Sequence, residues 1–168
     1  MDSKQIEKIL WADKWTQKGF LGCFLADRIP ETITKYPCSL VINLDTSKKP
    51  GTHWVAAYCE NESTVYYFDS FGSLNCIYPP FLKPSPYCIS GPNAAIYDFL
   101  NRFDSVTTNK FIYQSIFADN CAHYCIYFIH AMSIGIPFSK IVSILDKQHD
   151  PNNFVSNFVI NIVSWIKV

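Results

Sequence analysis

The sequence predicts an α+β domain: a central mixed β-sheet flanked by helices. Three observations lead there. Three β-rich runs cluster between residues 39 and 69, the strongest helical patterns after the opening segment come later, and 49% of the 168 residues are hydrophobic against 17% charged. That composition supports one ordinary core, and strands gathered early with helices late argue against a doubly wound parallel sheet, in which the two alternate. A single domain over 1–168 is expected, because no second core-sized segment follows the proline-rich stretch at 72–91.

Residues 3–11 set Ile6, Ile9 and Leu10 at helical spacing behind Asp2 or Ser3 as a cap. A loop holding Gly19, Gly22 and Pro30 should follow. The runs 39–44 (SLVINL), 53–59 (HWVAAYC) and 65–69 (VYYFD) are separated by the turn signals SKKPG and ENES, and read as adjacent strands of one sheet. Pro92 suits the first position of a helix reaching about Phe103. Residues 111–114 (FIYQ) read as another strand. A long apolar helix is expected from Asn120 to about Ile134, ended by Gly135 and Pro137, with a further helix over 138–147. For 153–168 the β-branched content leaves helix and strand both open.

Composition narrows the function. Fourteen basic and fourteen acidic residues leave no excess charge to draw the chain onto nucleic acid or an anionic membrane. The one tight basic pair, Lys48–Lys49, reads as a solvated turn. The amino terminus lacks the uninterrupted apolar stretch of a signal peptide. The most apolar segment, 121–138, is interrupted by His123, His130, Ser133 and Pro137, so it reads as a buried helix and no membrane partner is expected. Seven irregularly spaced cysteines imply free thiols in a reducing compartment.

Three positions concentrate the chemistry. His53 starts a predicted strand beside Trp54, Asp69 ends the next strand in FDSFG, and Cys121 starts a helix after ADN. Neighbouring strands can set His53 and Asp69 side by side, where the carboxylate would orient the imidazole. A thiol at a helix amino terminus feels the positive end of the helix dipole, and an adjacent imidazolium favours its thiolate further. Asn120 or Asp119 would cap that helix. The Cys121 amide and the side-chain amide of Gln114, seven residues earlier, are candidate donors to an oxyanion. Taken singly, such a His is usually structural, such an Asp a turn former and such a Cys part of a core. The joint arrangement is what points to a thiol protease.

The order His, Asp, Gln, Cys, carried by HWVAAY, VYYFDSFG and QSIFADNC before an apolar helix, resembles the adenovirus-type cysteine proteases and the related ubiquitin-like-protein-specific proteases. The likeness spans about residues 20–135. It includes Phe20-Leu21-Gly22 near the start, Asn43 ten residues before His53, and Gln114 seven before Cys121. The resemblance implies a cysteine endopeptidase of that fold, encoded by a virus, virophage or Polinton-like element. Capsid and core precursor polypeptides would be its substrates, and it would act inside the infected host and be packaged in the virion. It assigns Cys121, His53, Asp69 and Gln114 to catalysis, and Trp54 and Asn43 to substrate binding. No metal or organic cofactor is needed, and a monomer is expected. The chain departs from the pattern at Ala122, where relatives usually carry Gly, and at Asp69, where adenovirus enzymes often carry Glu. The cysteine that bonds an activating peptide in adenovirus enzymes would fall near Ser105 or Val106. With zero net charge as well, this speaks against a peptide or nucleic-acid activator.

Other readings compete for the same residues. A metal site on Cys121, His123, Cys125 and His130 fails on helical geometry, because the cysteines share one face and the histidines point nearly opposite. Tyr66, Tyr67, Phe68, Tyr124, Tyr127 and Phe128 could form a stacking surface but fit a core better at their spacing. A deconjugase for ubiquitin-like modifiers and an inactive scaffold that keeps the protease fold are the functional alternatives.

Overall fold

A computed structural model of the chain describes residues 1–45, 47, 53–72 and 94–166. Lys48–Lys49, Cys76, Cys88, Pro92 and the proline-rich stretch after Gly72 lie outside the described residues. The fold is α+β: a five-stranded mixed sheet in the order β1-β2-β3-β4-β5, with helices on its faces. Strands β2 (Cys38–Asn43), β3 (Trp54–Cys59) and β4 (Thr64–Phe68) are antiparallel neighbours, as their alternation and turn signals predict. Parallel edge strands β1 (Phe20–Leu25) and β5 (Ser105–Thr108) complete the sheet.

Both edge strands correct the sequence reading. FLGCFL is a strand and not a loop; Gly22 sits at φ +133°, where the β1–β2 register shifts between Phe20 and Cys23, so the glycine marks a bulge. The expected strand at 111–114 is irregular chain, because the amides of Tyr113 and Gln114 both donate to the Ser70 carbonyl at 2.8 and 3.0 Å instead of to a ladder. The polar segment SVTT makes the edge strand in its place.

Helix α1 (Ser3–Ala12) opens with a full capping box between Asp2 and Gln5 and buries Ile6, Ile9 and Leu10. Helix α2 (Ala94–Leu100) packs on one face of the sheet with Leu40, Ile42, Val55 and Tyr67. The other face carries α3 (Cys121–Ser133), α4 (Phe138–Asp146) and α5 (Pro151–Ile166) over Val41, Ala56 and Phe68. The open choice for the tail thus resolves as helix: Val155, Val159 and Ile162 recur at helical spacing and are buried, and such packing outweighs β-branched propensity. Phe68 is the centre of an aromatic stack, its ring 5.3 Å from Phe128, 6.1 Å from Tyr113 and 6.3 Å from Tyr124. The aromatic residues of α3 and β4 are therefore largely core. Among the described residues, no helix is long and apolar enough to cross a membrane.

Candidate active site

The site forms where three elements end together. β3 begins one residue after His53, β4 ends one residue before Asp69, and α3 begins at Cys121. Because β3 and β4 are antiparallel, with Ala56 opposite Phe68, the start of one lies beside the end of the other. His53 Nε2 donates to Asp69 Oδ1 at 2.7 Å, and both residues are buried. Cys121 lies close enough to the same ring for thiol and imidazole to shift each other by hydrogen-bonding and charge interactions. Phe71 lies against the imidazole, ring centres 4.6 Å apart.

Asp69 is itself held firmly. Its Oδ1 also accepts the Phe71 amide at 2.8 Å. Asn109, buried on the segment after β5, accepts the Asp69 amide at 3.0 Å and donates to the Asp69 carbonyl at 2.7 Å and the Phe111 carbonyl at 3.1 Å. The other carboxylate oxygen, Oδ2, is buried without a partner among the described residues.

These contacts set the electrostatics. Burial works against a charged His53, but its bonds to Asp69 and Cys121 outweigh burial and hold the imidazole at about 9. Burial likewise raises the Cys121 thiol; the bond to His53 and the backbone groups of Trp54 and Ala122 overcome it, and the net direction is down. Both shifts run toward a thiolate–imidazolium pair, with the Asp69 carboxylate on the imidazole. Cys125, one turn along α3 and fully enclosed, shifts the other way and stays a protonated core thiol.

Beside the pair is an open cavity of about 300 Å³ lined by His53, Trp54, Phe71, Gln114, Asp119 and Cys121, with Met1, Ile116 and Ala118. Gln114 is buried yet reaches it; the Gln114 side-chain carbonyl accepts from Ser70 Oγ at 2.7 Å, and its amide nitrogen donates to the Ala118 carbonyl. Trp54 lines the cavity. Asn43 does not: it is buried at the end of β2, and its side-chain oxygen turns back to accept the Asp45 amide at 3.0 Å. Asn120 takes the cap position of α3 without a side-chain cap bond, because its amide instead donates to Ser156 Oγ of α5 at 2.6 Å. Ala122 is buried in the core, so its methyl group lies away from solvent.

The remaining candidate ligands disperse. His130 is bound through Nδ1 to Asp13 at 2.6 Å, and His123 Nδ1 is buried without a partner among the described residues. Among the described residues no group of three or more His, Cys, Asp or Glu is placed to hold a metal ion. Ser70 and Asn109 are the site residues that sequence reasoning missed. Their bonds join positions about 40 apart in the chain, which leaves no local pattern.

No protein-family model matches the chain. No curated protein matches it either. Among solved structures, it is similar to the central domain of the uncharacterized Lpg1148 protein from Legionella pneumophila, at 12% identity and a TM-score of 0.49, covering 99% of this chain and 98% of that one. It is also similar to the ASFV pS273R protease, at 21% identity and a TM-score of 0.34, covering 74% of this chain. The match spans 45% of that protease.

Proposed function

We propose that the chain is a cysteine endopeptidase. The observation that carries this is the Asp69–His53 hydrogen bond and, interacting with the same imidazole on the wall of an open cavity, a thiol at a helix amino terminus. In this reading Cys121 attacks the scissile carbonyl carbon, and its S–C bond forms as the carbonyl electrons move onto oxygen. His53, protonated in the ion pair, gives its proton to the leaving amine as the C–N bond breaks. Water then attacks the thioester with His53 as base, releasing the acid and restoring the thiolate. Asp69 keeps the ring oriented and offsets its charge, and the side-chain amide of Gln114 with the Cys121 backbone amide steadies the oxyanion.

The motif likeness to adenovirus-type proteases supports capsid and core precursor polypeptides as substrates and a role in particle maturation. Coexpression of the chain with the capsid gene of its source, followed by mass spectrometry, should yield shortened capsid products that vanish with Cys121→Ala. Fusions of ubiquitin-like modifiers serve as the rival substrate. Cleavage only of those fusions would overturn the maturation role, and equal cleavage by the alanine variant would overturn the nucleophile.

A further inference from the structure

We propose that Ser70 is a positioning residue that holds the Gln114 amide with its N–H side toward the developing oxyanion. This rests on the endopeptidase reading. A glutamine amide is nearly isosteric with itself turned end for end, but one orientation offers a donor and the other an acceptor. An acceptor facing an oxyanion would repel the charge that the site must stabilise.

The surroundings of Gln114 choose between the two. The Ala118 carbonyl can only accept, so the nitrogen must face it, and the oxygen then meets Ser70 Oγ at 2.7 Å with the hydroxyl as donor. One amide hydrogen goes to Ala118; the second remains for the cavity shared with Cys121. The two anchors differ in firmness. Ala118 follows Ile116 and Phe117, which are 66% and 93% exposed, whereas Ser70 is 2% exposed. Ser70 also grips the Gln114 backbone, since its carbonyl accepts the amides of both Tyr113 and Gln114. Side chain and main chain of Gln114 thus hang on one buried residue. That residue directly follows Asp69, so two consecutive positions orient the base and the oxyanion donor.

The test separates oxyanion binding from thiolate reactivity. A peptide aldehyde, acetyl-Leu-Leu-norleucinal, adds reversibly to the Cys121 thiolate; the S–C bond forms and the carbonyl oxygen gains the charge, then a proton. Protection of Cys121 from iodoacetamide by this aldehyde, followed by mass spectrometry, reads the oxyanion site. Alkylation without aldehyde reads only the thiolate. Ser70→Ala and Gln114→Ala should each raise the half-protecting aldehyde concentration by about 10-fold or more, and the double variant by no more than Gln114→Ala alone. Ser70→Thr, which keeps the hydroxyl, should recover most of the protection, and alkylation rates without aldehyde should stay within about twofold throughout. Ser70→Cys, close in size and a weak donor, replaces the alanine variant if that one fails to fold.

Wild-type protection by Ser70→Ala, with Gln114→Ala impaired, would overturn the inference alone. An equal further loss when Ser70→Ala is added to Gln114→Ala would do the same, since Ser70 would then act elsewhere. No protection of the wild type, or none lost in Gln114→Ala, would overturn the oxyanion role of Gln114 and this inference with it.

Discussion

Asn109→Ala offers a direct measure of how firmly Asp69 is held. Two buried hydrogen bonds join this side chain to the backbone of Asp69, and a partly buried one joins it to the Phe111 carbonyl. At roughly 1 kcal/mol for each bond, truncation should cost about 3 kcal/mol of stability. For a chain of this length each kcal/mol lowers Tm by about 2–4 °C, so the midpoint should fall by about 6–12 °C. Urea unfolding followed by circular dichroism supplies the test, with the midpoint shifting and the m-value constant. Asn109→Asp sharpens it: one oxygen can still accept the Asp69 amide, but the other would oppose the carbonyls of Asp69 and Phe111, so this variant should be less stable than Asn109→Ala. A loss below about 0.5 kcal/mol for alanine, the range of ordinary surface changes, would refute the reasoning, as would an aspartate variant as stable as the wild type.

Other expectations concern charge and capping. Asp69→Asn keeps an oxygen for His53 and Phe71 but removes the negative charge, so peptidase turnover should drop by roughly 10²–10⁴-fold while Tm moves far less; the reverse pattern would mark Asp69 as structural. Turnover against pH should rise as the Cys121 thiolate forms below the ordinary thiol range, and fall as His53 loses its proton near about 9. A single rise at the value of an isolated thiol, with no falling limb, would contradict the ion pair. Asp2→Ala removes one half of the α1 capping box and should cost about 1 kcal/mol by urea denaturation; no change would show that the first turn adds nothing to stability.

Legibility in the sequence followed the range of the forces involved. The strands β2, β3 and β4 were readable because each is a short apolar run closed by turn residues, and their antiparallel order put His53 near Asp69 without tertiary knowledge. β1 was hidden by Gly19 and Gly22, which punctuate a loop as readily as a bulge. β5 was hidden because SVTT is polar and largely unburied, while the apolar FIYQ beside it drew the strand assignment. The tail became legible only through packing, since Val and Ile prefer strands until a buried face outweighs that preference. In the site, the local signals marked Cys121, His53, Asp69 and Gln114, whereas Ser70 and Asn109 act over long sequence separations and look like ordinary turn residues. Asn120 shows the opposite error: a good local cap was diverted by a distant hydroxyl, that of Ser156.

The position of Phe68 has a consequence for motion. Its ring is stacked among Tyr113, Tyr124 and Phe128, and the next residue along the chain is the carboxylate that orients the imidazole. Asp69 therefore cannot swing away without prying apart the interior, so the amides of Ala56 and Phe68 should exchange with deuterium only through whole-molecule opening. The segment from 115 to 119, with Ile116 and Phe117 in solvent, should exchange far sooner. His53 and Asp69 should thus lie in the slowest part of the protein, and the wall facing them in one of the fastest.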